Sequence, residues 1–425
     1  MKHNAKPTLL IMTSSFPSSP SDESCGYIRD FARSLSEDFD VEVLAPPDPR
    51  AIEWVADVFK LTRSRSAIPF GLDPFQGGDD LNHLASGGFL SKLFALPSLL
   101  CFFARAFAMA LRADAVCSHW LIPSGLVGAL VSRFLGKPHI VVEHSGALHL
   151  LARSRAGKTI ARFITANSDR VVVVSADLKR KLLAMCPSAG KKIEVIPMGV
   201  TAMTAIKFAT TAKVGDHGVN PPSGRSPSRV GRTILFIGRL TGIKGLDVLL
   251  TAMKGLDNLH LIVAGDGEKR VELETLARDL SVSATFIGGV GAVERDALLS
   301  SCDAVVIPSR VLAGGRTEGT PVVCLEALAA GCVVVASRTG GLVDVIVDGE
   351  NGLLFEPGEQ RMLREKLLLA LGDNSLRRAL SENARRTAAA YDWSRIGPRF
   401  SEITMSVLKN DQFCNKRIEA GGACG

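Results

Sequence analysis

The sequence predicts an α/β protein of two doubly wound, Rossmann-like domains facing a cleft, and three observations carry that prediction. Short apolar stretches alternate with helical stretches twice over, first across 8–197 and again across 233–337. Such alternation implies right-handed βαβ crossovers and parallel sheets. Between the two series, 201–232 loses the pattern and carries Lys207, Lys213, Arg225, Arg229 and Arg232 around PPSGRSPS, the composition of a linker or long loop. Finally, 425 residues exceed one ordinary domain, and 46% hydrophobic against 22% charged residues suffices for two cores and excludes a disordered chain.

Taken in order, TLLIMTS (8–14) reads as a strand, followed by a Ser/Pro loop to Gly26. The helix after it spans 27–37, with Tyr27, Ile28, Phe31 and Leu35 on one face. VEVLAP (41–46) is the second strand, and 48–88, rich in Gly, Asp and Pro, reads as irregular. The apolar stretch 89–111 contains Lys92, Pro97 and Arg105. Its uninterrupted part, 93–104, is too short to span a bilayer and reads as a buried or interfacial helix. Stretches 114–117, 139–143 and 170–174 are further buried strands, and 193–197 closes the first half. The second series is 233–238, 259–265, 284–288, 304–308 and 333–337. The expected domains are therefore 1–198 and 233–393, joined by 199–232. The C-terminal helix 394–425 is expected to pack back on the first domain, its tail fraying from Asn410.

Charge and cysteine usage narrow the function classes. The net charge of +7 is unevenly spread: 147–192 holds ten Lys/Arg against Asp169 and Asp177. Such a region can face an anionic membrane surface or form a solvated helix face. Two tyrosines and no aromatic-interleaved basic motif argue against nucleic acid. The nine cysteines are scattered without paired metal spacing and read as reduced, small core residues, and with no Asp-x-Asp motif in 233–337 either, no metal site is expected. Only five apolar residues follow the basic start, so no signal peptide is expected. The expected location is cytoplasmic, peripheral on the inner face of the membrane.

The chemistry centres on RTEGTPVVCLEALAAG (316–331), where Glu318 and Glu326 lie eight residues apart across a loop turning into a helix. Thr320 reads as the N-cap, Pro321 as the first helical residue and Gly331 as the stop. The amides of Val322 and Val323 would then form an anion site suited to phosphate. Glu326 would lie about 9 Å up the helix at about 1.5 Å per residue. A capped helix with two surface glutamates is the plainer alternative.

Three glycine-rich turns tip the balance. FIGRLTGIKG places Gly238, Arg239 and Lys244 just after a strand, where two cations can converge on a diphosphate. AGDGE (264–268), with Gly265, and GGVG (288–291), with Gly289, end two more strands and let backbone approach a ligand closely. Parallel open sheets bind ligands at these carboxyl ends.

GRLxxxKG, AGDGE, FxGxV, PSR, EGTPVVCLE, ALAAG and TGG resemble, in order and spacing, the donor half of retaining glycosyltransferases of sequence family 4, which have the GT-B fold. The likeness covers about 230–395 strongly. FPSSPSDESCG, SHWLIPSG, VEHSG, VSADLKRKLL and IEVIPMGV follow the family's N-terminal order more loosely. The form of 316–331 resembles members that build exopolysaccharide and lipopolysaccharide.

The resemblance implies a nucleotide-sugar donor, a saccharide or lipid-linked acceptor and no cofactor. It assigns Arg239 and Lys244 to the departing diphosphate, Glu326 to the ribose hydroxyls and Glu318 to the region of the transferred sugar. Gly26 matches the loop that approaches the phosphates from across the cleft, and His144 the histidine near sugar and acceptor. Gly319, Thr320 and Val322 belong to the phosphate-binding turn. His119 reads as structural. Three departures stand out: HSGA (144–147) lacks the aspartate of HGxD, MGVT replaces NGVD, and Pro321 removes an amide that many members have. Arg316 is expected to compensate for that amide. The alternatives are a nucleotide-sugar epimerase of the same fold and a catalytically inactive saccharide- or membrane-binding subunit.

Overall fold

A computed structural model describes residues 5–20, 22–23, 25–52, 58–64, 89–201 and 231–419. Seven strands form the first sheet: β1 (Thr8–Met12), β2 (Asp40–Ala45), β3 (Lys60–Arg63), β4 (Ala115–His119), β5 (His139–Glu143), β6 (Arg170–Val173) and β7 (Ile193–Val195). Their order is β3-β2-β1-β4-β5-β6-β7, every pair parallel. The second sheet contains β8 (Arg232–Ile237), β9 (Leu259–Ala264), β10 (Ala284–Gly288), β11 (Ala304–Ile307), β12 (Val334–Ser337) and β13 (Leu353–Phe355). Its order is β10-β9-β8-β11-β12-β13, again all parallel. The order reverses once in each sheet, at β1/β4 and at β8/β11. The expected α/β architecture of two doubly wound sheets is what the chain adopts.

Burial explains the strand sequences. Every residue of β4 and β5 is buried, as a parallel strand covered on both faces requires. Helix α1 (Gly26–Leu35) covers one face of the first sheet with Ile28, Phe31 and Leu35, each at most 1% exposed. Helix α2 (Phe89–Ala110) covers the other with Phe102, Ala106, Met109 and Ala110. Among the described residues no helix is long and apolar enough to cross a membrane. Further helices of this half are α3 (Leu126–Leu135), α4 (Gly146–Ala152), α5 (Arg155–Ala166) and α6 (Ala176–Met185). The second sheet is covered by α7 (Leu246–Met253), α8 (Arg270–Asp279), α9 (Ala292–Ser301), α10 (Val322–Ala330), α11 (Leu342–Val345), α12 (Gln360–Gly372) and α13 (Asn374–Ala388).

The last helix, α14 (Trp393–Glu419), returns to the first sheet and packs on α1. Phe400 meets Phe31 edge-on, with ring centroids 4.9 Å apart. The helix runs on to Glu419, past Asn410, and 420–425 lie outside the described residues. The two chain crossings between the sheets are themselves joined. Val200 N–H donates to Tyr391 O (2.8 Å) and Trp393 N–H to Val200 O (3.1 Å).

Two strands escaped the sequence reading. β3 is the polar edge segment KLTR, with no fully buried residue, and β13 is only three residues long. The first helix also starts at Gly26 and ends at Leu35, displaced from the expected 27–37. The interdomain stretch 202–230 and most of 48–88 lie outside the described residues.

Candidate active site in the interdomain cleft

Helix α10 sits with its N-terminus at the carboxyl edge of the second sheet. Its N-cap is Pro321 (φ −60°, ψ 123°), not Thr320 as expected. A residue before proline is disfavoured in the helical region, which moves Thr320 outside the first turn. The Thr320 hydroxyl instead donates to Val174 O of the opposite domain at 2.9 Å. Val322 therefore supplies the first amide of the helix, followed by Val323, while Cys324 N–H already donates to Pro321 O at 2.9 Å.

Glu318 lies on the loop just before this helix. Lys244 Nζ, from a short turn after β8, is 2.6 Å from Glu318 Oε1, and Ser309 Oγ donates to Oε2. Lys244 runs beside Gly238, where an added Cβ would stand 3.4 Å from its Cε. Gly265 (φ 142°) touches the same turn: a Cβ there would stand 2.0 Å from Gly238 O, so only glycine fits. Gly265 N–H donates to Gly288 O at 2.6 Å, with Gly289 next along. The three glycine turns thus meet at one edge, with exposed Arg239 at their rim.

Glu326 stands one turn further up α10, mostly buried. Arg295 Nη1 of α9 is 2.8 Å from its Oε1 and 2.9 Å from Glu23 Oε2 of the first domain. Burial pushes the Glu326 carboxyl up to about 7, against the pull of Arg295 and with the repulsion of Glu23, Asp296 and Asp30. Gly26 adjoins this network: its amide donates to Glu23 O at 3.1 Å, and an added Cβ would stand 3.1 Å from Glu23 Oε2.

The first domain closes over the loop 314–320. Ser145 Oγ donates to Thr317 O (2.6 Å) and Lys181 Nζ to Gly315 O (3.1 Å). Thr317 Oγ1 donates to Asp177 Oδ2 at 3.0 Å, and Lys181 Nζ contacts Asp177 at 2.6 Å. A Cβ on Gly319 would stand 2.5 Å from His144 O, which brings the histidine loop and the Glu318 loop into contact. Burial lowers His149 to about 4, and the charges of Lys181 and Arg316 add to that shift.

His144 is paired, not isolated. Its Nε2 is 2.9 Å from His119 Nδ1, and Tyr27 and Trp120 flank it at ring distances of 5.3 and 4.8 Å. His119 Nε2 is buried without a hydrogen bond. The two rings thus share one hydrogen bond between His119 Nδ1 and His144 Nε2. Burial lowers both imidazoles, His144 to about 3.

The structure therefore gathers Gly238, Lys244, Gly265, Glu318, Gly319, Thr320, Val322 and His144 around the start of α10, with Gly26 and Glu326 joined through Arg295. Sequence reasoning missed Glu23, Arg295, Ser309 and the Asp177–Lys181–Thr317 clamp. Arg295 lies in a helix without a motif, and the others sit inside matched stretches whose pairing only the tertiary contact reveals. The basic stretch 147–192 is partly engaged internally: Lys192 Nζ donates to Ser168 O (2.8 Å) and Arg162 Nε to Met185 O (2.9 Å). Arg153, Arg155 and Lys158 remain exposed.

Comparison with known proteins adds two family matches, to "Glycosyl transferases group 1" over residues 228–387 and to "Glycosyl transferase 4-like domain" over 26–199. An uncharacterized glycosyltransferase of Methanocaldococcus jannaschii is 30% identical over 283 residues, covering 66% of this chain and 72% of its own. Sucrose-phosphate synthase from Thermosynechococcus elongatus shares the fold with a TM-score of 0.75 at 20% identity, covering 95% of this chain and all of its own (100%). HepE of Anabaena, solved with UDP and glucose, aligns with a TM-score of 0.67 at 18% identity over 94% of this chain and 100% of its own.

Proposed function

The chain belongs to the GT-B glycosyltransferases of the family-4 type, and from that premise we propose that it transfers a sugar, with retention, from a nucleoside-diphosphate sugar to a saccharide or lipid-linked acceptor in cell-surface polysaccharide synthesis. The observation that carries this reading is the convergence of Lys244, Glu318 and the free first-turn amides of α10 at one point of the cleft. HepE, with its UDP, offers the matching donor chemistry in a protein of the same fold.

The donor diphosphate would lie against the amides of Val322 and Val323, within reach of Lys244 and Arg239. As the bond between the anomeric carbon and the phosphate oxygen breaks, its electron pair leaves with the diphosphate. Fixed cations and the helix dipole stabilise that growing charge most. The acceptor oxygen bonds to the same face of the anomeric carbon, and its proton passes to a phosphate oxygen. Glu318, held by Lys244 and Ser309, would orient the sugar until the diphosphate claims the lysine. Glu326 would accept from the ribose hydroxyls. His144, with its Nε2 engaged by His119, would act by shaping the sugar pocket through its ring and carbonyl, not as a base. No cofactor or metal ion is required by this scheme.

The test is transfer from a panel of UDP-, GDP- and ADP-sugars to saccharide and lipid-linked acceptors, with the product anomer read by NMR. Lys244→Ala should lower turnover about 100- to 1,000-fold, the magnitude typical of removing one transition-state charge partner. Wild-type transfer should survive EDTA. An inverted anomer, free epimerised sugar nucleotide, or loss of transfer on chelation would each overturn part of the reading.

We further propose that the basic stretch 147–192 apposes the enzyme to anionic lipid through its exposed Arg153, Arg155 and Lys158. Sedimentation with phosphatidylglycerol vesicles should be strong at 20 mM salt and lost at 500 mM, both about the Debye-screening limits for exposed charge. Equal sedimentation after Arg153, Arg155 and Lys158 are changed to Gln would refute it.

A further inference from the structure

Arg295 occupies an unusual place, one nitrogen shared between two carboxylates of different domains. Its Nη1 lies 2.8 Å from Glu326 Oε1 and 2.9 Å from Glu23 Oε2, while Nη2 and Nε turn to Asp296 Oδ1, each at 3.0 Å. Glu23 in turn accepts from Arg29 Nη2 at 3.1 Å, and Arg29 Nε reaches Asp30 at 3.3 Å. The side chains of Arg295, Glu23, Glu326 and Arg29 are all less than one fifth exposed, at 18%, 18%, 17% and 11%. Solvent screens such a network weakly, and long side chains are already ordered in it.

We propose that Arg295 is a positioning residue: it holds the Glu326 carboxylate ready for the nucleotide ribose, and its grip on Glu23 makes that readiness depend on the two domains being closed. The proposal rests on the assignment of Glu326 to the ribose. The geometry supplies the reason. Glu326 shares its surroundings with Glu23, Asp296 and Asp30, and the cations there are Arg295 and Arg29. A ribose diol donates hydrogen bonds, so Glu326 serves it as an ionised acceptor. Arg295 is the cation that touches it and the one that spans the cleft.

Opening the domains would take Glu23 away from Arg295 and leave the guanidinium bound to Glu326 and Asp296 alone. The closed state thus fixes Arg295 from both sides, and the loop carrying Glu23 continues directly into Gly26 and α1. Removing Arg295 leaves Glu326 buried among three other carboxylates, where its burial already raises it to about 7. It would then be protonated at neutral pH and poor at holding the diol.

The test compares wild type, Arg295→Ala, Arg295→Lys and Glu326→Gln between pH 6.5 and 9. Donor KM and kcat are measured together with UDP, GDP and ADP binding by calorimetry. Arg295→Ala should raise donor KM about fivefold at pH 7, the loss of ionised Glu326 when a carboxyl half-ionised at that pH is raised by one unit. The deficit should shrink towards pH 9, with kcat less affected and Arg295→Lys largely restoring the wild-type profile. A KM deficit equal at every pH, accompanied by a lower melting temperature, would mean a merely structural role and overturn the proposal. An Arg295→Ala profile identical to wild type, while Glu326→Gln weakens donor binding, would overturn the proposal and leave the ribose assignment standing. If Glu326→Gln leaves donor KM and nucleotide binding unchanged, the ribose assignment itself falls.

Discussion

Pro321 is the residue at which the sequence and the fold pull on each other. As N-cap of α10 it fixes the chain at φ −60° without strain, yet it removes the one amide that would otherwise precede Val322 at the turn proposed to hold the diphosphate. Replacing it with alanine keeps the allowed backbone angles and returns an N–H to that turn. Pro321→Ala is expected to tighten binding of the preferred nucleoside diphosphate about fivefold, the equivalent of about 1 kcal/mol for one added hydrogen bond. Titration calorimetry reads this directly, and unchanged or weaker binding would show that the turn places phosphate elsewhere. Glu318, Glu326 and Lys244 could be picked out in the sequence because motif spacing marks them. Arg295 and Glu23 could not, because their meaning lies in a contact between residues 272 positions apart.

At the scale of elements, legibility followed burial. β4 and β5 are covered on both faces and read as unbroken apolar runs, so their existence was plain from composition. β3 is half-exposed along its whole length and β13 is three residues long; neither has a periodicity to detect. Helix α10 was recognisable, but its first residue was misplaced by one. A threonine before proline has the chemistry of a cap, and only the opposite domain, offering Val174 O, explains why its hydroxyl turns away. The helix end was easier: Gly331 takes φ 76°, a left-handed geometry suited to glycine.

At the scale of the molecule, buried histidines set the response to acid. Burial lowers His119, His139 (to about 4), His144 (to about 3) and His149 (to about 4). Each titrates near 6.5 once unfolded. Between pH 6.5 and about 4 the unfolded chain therefore binds protons that the folded chain refuses, and stability falls with pH. Each histidine contributes up to about 1.4 kcal/mol per pH unit in that window. Asp30, Glu143, Glu326 and Asp344 act oppositely, because burial raises them and the folded form takes up their protons first. The histidines, joined by His260, all have their unfolded midpoint between pH 7 and pH 5, so the melting temperature should drop across that window. A flat or rising profile would contradict the burial of the His119–His144 pair.

The return of α14 to the first sheet has a consequence for how the chain is made. Phe31 on α1 is covered by Phe400 and Trp393, which are among the last residues of the core to be translated. A nascent chain that has emerged only to Val200 holds all seven strands of the first sheet, but the α1 face that α14 will cover still lies open. At roughly 5–20 residues per second, the ribosome needs roughly 10–40 s to supply the missing helix. The second sheet, by contrast, is contiguous and can close its core as soon as α13 emerges. The domain of the second sheet is thus the first to be finished and that of the first sheet the last. For that interval the apolar α1 face that α14 will cover has no partner from its own chain.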